Sequence, residues 1–173
     1  MSIALRNLET PLGSFALAAS EEGLSHCLWS RSPKLPVASS AEGLAARRHL
    51  DAAARALGEY FEGGRRDFRD LVLAPQGTPF QLDVWHALLD IPLGSTISYR
   101  ELARRVGRPR AARAVGMANH HNPLVVIVPC HRVVAADGSL GGYGGGVACK
   151  EWLLAHEGAR PGARRPAPRA ALA

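Results

Sequence analysis

The sequence predicts an α+β fold: a small antiparallel sheet with one helix, then a mostly helical half carrying a helix-turn-helix and a short active-site strand. Three observations predict it. The first thirty residues alternate short apolar runs with turn residues. From residue 41 onward the apolar spacing is mostly helical. A single apolar run, Leu124–Val128, then interrupts that pattern late in the chain. At 173 residues there is room for one ordinary domain or two small ones. The expected division is an α+β scaffold domain over 1–75, a second, mostly helical domain over 76–158 with the helix-turn-helix, and a basic, disordered tail over 159–173.

The elements follow in order. Ile3–Leu8, Ser14–Ala19 and Leu24–Trp29 read as a three-strand meander, with Thr10-Pro11-Leu12-Gly13 and Glu21-Glu22-Gly23 as its turns. After a Pro-containing loop, Ala41–Phe61 sets Leu44, Leu50, Ala54, Leu57, Tyr60 and Phe61 at helical spacing and stops at Gly63-Gly64. Phe68–Leu73 is a candidate fourth strand. Thr78 is positioned to cap a helix carrying Phe80, Val84, Trp85, Leu88 and Leu89 on one face. Ser98 can cap Tyr99–Val106, with Glu101 completing a capping box. Gly107-Arg108-Pro109 is a tight turn and Arg110–Asn119 the next helix, which gives the helix-turn-helix outline. The apolar strand Leu124–Val128, a Gly-rich hairpin over Asp137–Gly146 and a helix over Cys149–Glu157 complete the reading.

Composition removes several classes of function. With 47% hydrophobic and 21% charged residues the chain can build a core. No apolar run approaches the roughly 20 residues that cross a bilayer. The N-terminus lacks a charged head followed by an apolar core, so no secretory signal is expected. Cysteines at 27, 130 and 149 are odd in number and irregular in spacing, which points to a reducing, cytoplasmic setting rather than a disulfide scaffold. No CxxC or HxxxH spacing occurs, so no metal and no cofactor are expected. The formal charge of +6 is uneven, because Tyr99–Arg113 holds six arginines against one acid, Glu101. That clustering suggests a nucleic-acid footprint.

Cys130 is the candidate for chemistry. A free cysteine is most often a small buried hydrophobe, but this one follows an apolar run and Pro129 and precedes His131 and Arg132. Positive neighbours favour a thiolate. Adjacent side chains diverge, so proton exchange between Cys130 and His131 needs a turn or a bridging water. Cys27 and Cys149 lack such a setting. Six glycines in the nine residues Gly138–Gly146 fit either a flexible loop or close backbone contact with a planar substrate.

These residues carry a resemblance. TPFQLDVWHALLDIPLGSTISYRELA, RAVGMANHHNP, IVPCHRVV, GGYGGG and KEWLLAHEG, in this order, resemble the catalytic domain of the O6-alkylguanine-DNA alkyltransferases. The stretch TPLGSFALAASEEGL resembles that family's N-terminal domain. The resemblance implies DNA repair by single-turnover transfer of an alkyl group from guanine O6, with O4 of thymine left open, to Cys130. His131 would deprotonate the thiol through a water, Glu157 would orient His131, and Asn122 would fix the turn that joins the DNA-binding helices to the active-site strand. Tyr99 would crowd a phosphate and donate a proton to the departing guanine. Arg113 would fill the vacated place in the base stack, and Val133, Tyr143 and Gly144 would line the pocket. Arg100, Arg108, Arg110 and Ala112 join Tyr99 and Arg113 as DNA-contacting residues.

The implied partner is double-stranded DNA carrying alkylated guanine, entered through the minor groove by a monomer, with cooperativity along DNA left open. Small side chains around Arg113, namely Ala111, Ala112, Ala114 and Gly116, suit such a close approach. Two departures stand out. Some family members have a serine where this chain has Gly144, and some bind zinc through N-terminal ligands that are absent here. Inert relatives carry Trp in place of the acceptor cysteine, which Cys130 excludes. A helix-turn-helix regulator and a cysteine hydrolase are the competing classes.

Overall fold

The computed structural model describes residues 2–39, 41 and 43–159. β1 (Ala4–Thr10), β2 (Gly13–Ser20) and β3 (Gly23–Trp29) form an antiparallel meander in the order β1-β2-β3. Two-residue connections fix its register, with Thr10 opposite Gly13 and Ser20 opposite Gly23. α1 (Leu44–Phe61) lays Ala46, Leu50, Ala53, Leu57 and Tyr60 into the core against this sheet. It begins at Leu44 rather than Ala41, behind Gly43 and without a side-chain cap.

Phe68–Leu73 is not a strand. Arg65 pairs with Asp70 and holds the segment in a turn, so only Leu73 reaches the sheet, through one parallel bridge to Leu24. The Leu24 amide donates to Val72 O and the Ala74 amide to Leu24 O, both at 2.8 Å.

α2 (Pro79–Leu89) has a complete capping box between Thr78 and Gln81 and turns Val84, Trp85 and Leu88 inward. The Trp85 indole donates to Ala118 O at 2.9 Å. β4 (Ile97–Ser98) leads into α3 (Tyr99–Arg105), where Ser98 Oγ accepts the Glu101 amide at 3.1 Å. The box expected there is half formed, because the Glu101 carboxylate turns to Arg104 and Arg105 instead. Gly107, at φ +72°, supplies the left-handed turn that lets α4 (Ala112–His120) pack back on α3. α5 (Val147–His156) starts ahead of the expected Cys149 and leaves Glu157 as its C-cap.

The largest departure from expectation lies before Cys130. Leu124–Val128 is buried but is a turn, with Val126 at φ +72°. Asn122 explains it: Oδ1 accepts the Leu124 amide at 2.9 Å and Nδ2 donates to Val128 O at 2.8 Å, which folds the segment on itself. Periodicity cannot distinguish a short buried strand from a short buried turn. The strand beside the cysteine comes after it. Cys130–Arg132 is one turn of 3-10 helix, followed by β5 (Val133–Val134), which pairs in parallel with β4. Asp137–Gly146 is an irregular loop without the ladder of a hairpin. Of residues 159–173, expected to be a disordered tail, Ala159 is buried with Val134 and Leu154, and 160–173 lie outside the described residues.

Both halves contribute to one continuous apolar cluster that runs from Leu17 and Leu57 to Trp85, Leu102, Val128 and Leu153. The chain is therefore expected to unfold as one unit. Leu57→Ala, in the first half, is expected to cost about 2–5 kcal/mol. It should shift the far-UV and tryptophan-fluorescence transitions together in urea; transitions that separate would contradict the continuous core.

Candidate active site

The turn that carries Cys130 is held from two sides. β3 docks on the preceding segment: the Cys27 amide donates to Pro123 O at 2.8 Å and the Val125 amide to Cys27 O at 3.0 Å. From the other side, Asn119 Nδ2 donates to Cys130 O at 3.3 Å. Cys27 itself is fully buried, and burial pushes its thiol far up. It is a structural residue.

Behind Cys130 lies a buried polar cluster. His131 has no exposed surface, and its Nε2 lies 2.7 Å from Glu157 Oε1. Arg132 donates from Nε to Glu157 Oε2 and from Nη2 to Oε1, each at 2.9 Å, and from Nη1 to Ile91 O at 2.5 Å. Tyr60 Oη adds a bond to Glu157 Oε1 at 2.7 Å. Burial alone would push the Glu157 carboxyl up; His131 and Arg132 overcome it and hold the group ionised, well below the usual carboxylate range. Arg132 grips both oxygens, so the carboxylate keeps a guanidinium counter-charge whatever His131 does. Burial pushes His131 down, against the pull of Glu157, which leaves a neutral imidazole at rest.

A neutral ring that faces an ionised carboxylate must carry its proton on Nε2. Its Nδ1 is then a bare lone pair, buried and without a protein partner among the described residues. Such an arrangement can serve as a base held by a third group, with its accepting nitrogen free.

The thiol differs from the sequence expectation. Burial pushes Cys130 up, only partly offset by Asn122 and by the positive charge of Lys150. Arg132 does not serve as the activating charge, because its guanidinium is committed to Glu157 and Ile91. Lys150 does that service from α5. It is wholly buried, donates from Nζ to Val133 O at 2.7 Å and to Leu140 O, and is lowered by burial to about 8. Its bonds tie β5 to the Gly-rich loop.

Cys130 opens onto a cleft of about 520 Å³. Tyr99, Gly116 and Asn119 form one wall, and Tyr143, Gly144 and Gly145 another. Trp29, Arg31, Pro33 and Lys34 close a third side from the N-terminal half. The Trp29 ring stands edge-on to Tyr143 at 6.0 Å, and any side chain at 145 would overlap its indole. At Gly144 nothing stands where a side chain would go. Val133 does not line this cleft: pairing with β4 turns it fully into the core, and only its carbonyl is used, by Lys150.

Arg100, Arg108, Arg110 and Arg113 are exposed along α3, the turn and the start of α4. Arg108 lies over the Phe80 ring at 5.9 Å. Ala112 opens α4, whose N-terminus has no side-chain cap. The sequence reading missed Tyr60, Trp29, Asn119 and Lys150 as site residues. For Lys150 a signal existed, since a lysine sits at the core-facing spacing shared with Leu153 and Leu154. For Tyr60 there was none, because a tyrosine on an apolar helix face reads as core.

The carboxylate is expected to carry stability as well as chemistry. Glu157→Gln leaves Arg132 buried without its counter-charge and is expected to cost about 3–5 kcal/mol near neutral pH. Because the folded carboxyl titrates below its unfolded value, this contribution is fully present above the unfolded value. It is lost only as pH falls through the folded one. Denaturant unfolding of both proteins from pH 7 down to pH 3 checks this: the gap should persist through pH 5 and narrow only at the acid end. A gap closing near pH 6 would contradict an ionised Glu157.

Comparison with known proteins agrees with this geometry. Residues 79–159 match the family described as 6-O-methylguanine DNA methyltransferase, DNA binding domain. Residues 5–75 match 6-O-methylguanine DNA methyltransferase, ribonuclease-like domain. The chain is 46% identical over 147 residues to a methylated-DNA–protein-cysteine methyltransferase of Methanosarcina barkeri, covering 85% of this chain and 92% of the relative. It is 43% identical over 167 residues to one from Mycolicibacterium paratuberculosis, covering 90% and 92%. Among solved structures, the Mycobacterium tuberculosis OGT in complex with DNA superposes with a TM-score of 0.80 at 41% identity, covering 89% of this chain and 92% of that one. The chain belongs to the 6-O-methylguanine DNA methyltransferase family, whose relatives are methylated-DNA–protein-cysteine methyltransferases.

Proposed function

We propose that the chain repairs DNA by moving a methyl or larger alkyl group from O6 of guanine to Cys130 Sγ, once and irreversibly, after the nucleotide has swung out of the duplex. The observation that carries this reading is the pairing of an open cleft with a closed relay: Cys130 lines the cleft while His131 and Glu157 stand behind it, shielded from solvent. The relatives' names and the DNA complex of the M. tuberculosis protein support the same activity.

The steps use this chain's own groups. Exposed Arg100, Arg108 and Arg110 meet the phosphates, and the small residues around Arg113 let α4 approach the sugar walls of the minor groove. A thiol cannot reach a base inside the stack, so the nucleotide leaves it, crowded by Tyr99, and Arg113 fills the gap. The base then stands between Tyr99 and the Tyr143–Gly145 backbone. With Gly144 in place of a serine, backbone N–H groups supply any hydrogen bond to its oxygen.

His131 Nδ1 takes the thiol proton through a water, and Glu157 balances the imidazolium. Sγ attacks the alkyl carbon, the C–S bond forms as the C–O bond breaks, and the electron pair leaves with guanine, which takes a proton from Tyr99. Return of the His131 proton to Tyr99 closes the balance. O4 of thymine presents the same alkyl–oxygen linkage and is a second candidate substrate. The raised resting thiol suits this order, because Cys130 stays protonated until substrate is present. Three free cysteines fit a reducing cytoplasm, where we infer that the chain works as a monomer, with the transfer and DNA-binding residues in 76–158 and residues 1–75 as a supporting domain that also lines the cleft.

A thioether offers water no carbonyl to attack and no good leaving group, so the acceptor is consumed. Titrating a fixed amount of protein with excess methylated-guanine DNA, with peptide mass to locate the methyl, tests the proposal. One methyl per chain is expected, on Cys130, and none for Cys130→Ser, which should keep its DNA affinity within a few-fold. A steady rate past one equivalent, or transfer surviving in Cys130→Ser, would overturn the acceptor role and favour a hydrolase.

A further inference from the structure

The carboxylate behind His131 is shared with the N-terminal half of the chain. Tyr60, in the last turn of α1, is 1% exposed and donates its hydroxyl to Glu157 Oε1 at 2.7 Å. The same oxygen receives His131 Nε2–H, also at 2.7 Å. A ring nitrogen of His156, the residue before Glu157, bonds the Tyr60 carbonyl at 2.7 Å. One tyrosine is thus gripped at its backbone and its side chain by consecutive residues at the end of α5. Phe61, Phe68 and His156 pack around its ring at centroid distances of 5.2, 5.6 and 5.1 Å, so the phenol cannot turn away.

Holding the carboxylate in place does not require this hydroxyl. Arg132 already spans both oxygens of Glu157. What the phenol adds is a further donor on the one oxygen that faces His131, and a donor draws charge from its acceptor. A carboxylate oxygen relieved of charge is a weaker partner for Nε2–H, which makes Nδ1 a weaker base. We propose that Tyr60 is a positioning residue of the transfer reaction that sets the basicity of His131 through Glu157, so that α1 is part of the active site rather than a scaffold beside it. The proposal rests on the reading of His131 as the base for Cys130.

Other charged and titratable groups face the same relay: Arg132 from the 3-10 turn, Lys150 from α5, Cys130 itself and Tyr143 from the Gly-rich loop. They are common to wild type and variants, so a difference between proteins isolates Tyr60.

The test uses two full-length variants of opposite sign. Tyr60→Phe keeps the ring and removes the donor; 3-fluorotyrosine incorporated at position 60 keeps the donor and strengthens it. The His131 side chain is followed by nitrogen-resolved NMR across pH. In Tyr60→Phe the His131 midpoint is expected to rise by about half to one pH unit, with the Nε2–H proton moving downfield. In the fluorotyrosine protein both are expected to move the other way. A merely structural tyrosine would change the melting temperature and leave the His131 titration where it was. Midpoints equal to wild type in both variants, or shifted in the same direction in both, overturn the proposal. Methyl transfer by wild type is scored in the same preparations. Its absence would defeat the functional reading, while the His131 titration still decides the role of Tyr60.

Discussion

An ionised carboxylate at 5% exposure is the constraint on which the rest of this structure depends. Removing such a charge from water is costly unless hydrogen bonds and an opposite charge compensate. Glu157 meets that condition with the Arg132 guanidinium across both oxygens and with Tyr60 and His131 on one of them. The partners come from two places far from Glu157 in the sequence, Tyr60 from α1 and His131 with Arg132 from the Cys130 turn. The compensation therefore welds α1, the Cys130 turn and the end of α5 into one unit. It also dictates the chemistry, because a carboxylate held on Nε2 leaves His131 a free Nδ1 on a neutral ring.

Stability and reactivity are coupled through the backbone as well. The thiol sits at the start of a single 3-10 turn whose supports come from elsewhere in the chain. Asn122 folds the chain before it, β3 lends two hydrogen bonds to the same segment, and Lys150 ties the strand after it to the Gly-rich loop. Trp29 then braces that loop from the N-terminal sheet. The apolar cluster continues without a break across these contacts. The N-terminal half is consequently a wall of the cleft and a partner of the carboxylate, which a reading of it as scaffold alone does not capture.

Much of this was legible in the residues. The meander, the capped helices and the turn at Gly107 follow from local chemistry, where one or two residues decide the backbone. Cys130, with His131 beside it, stands out from its own neighbours, but the tie between His131 and Glu157 is legible only through resemblance, since 26 positions separate the histidine from its carboxylate and no periodicity links them. Leu124–Val128 reads as a strand by its apolar run because that pattern is blind to the one side-chain amide, that of nearby Asn122, which folds it into a turn. Val133, expected in the pocket, is instead wholly buried in the core and absent from the cleft lining. Tyr60 and Trp29 were illegible because apolar aromatic residues at regular spacing carry no mark of what their polar edges touch. Arg132 was misassigned for the opposite reason: its charge was visible, but its commitment to Glu157 was not.

Glu157 stays charged in the interior and, by accepting Nε2–H, leaves Nδ1 as the bare nitrogen of His131. Carbon-13 NMR of the Glu157 side-chain carboxyl across pH, on the intact protein, measures this most directly. The account predicts that the resonance holds its ionised position from neutral pH down past the usual carboxylate range and moves only as the protein unfolds in acid. A titration midpoint between about 4 and 6 in the folded protein would contradict it.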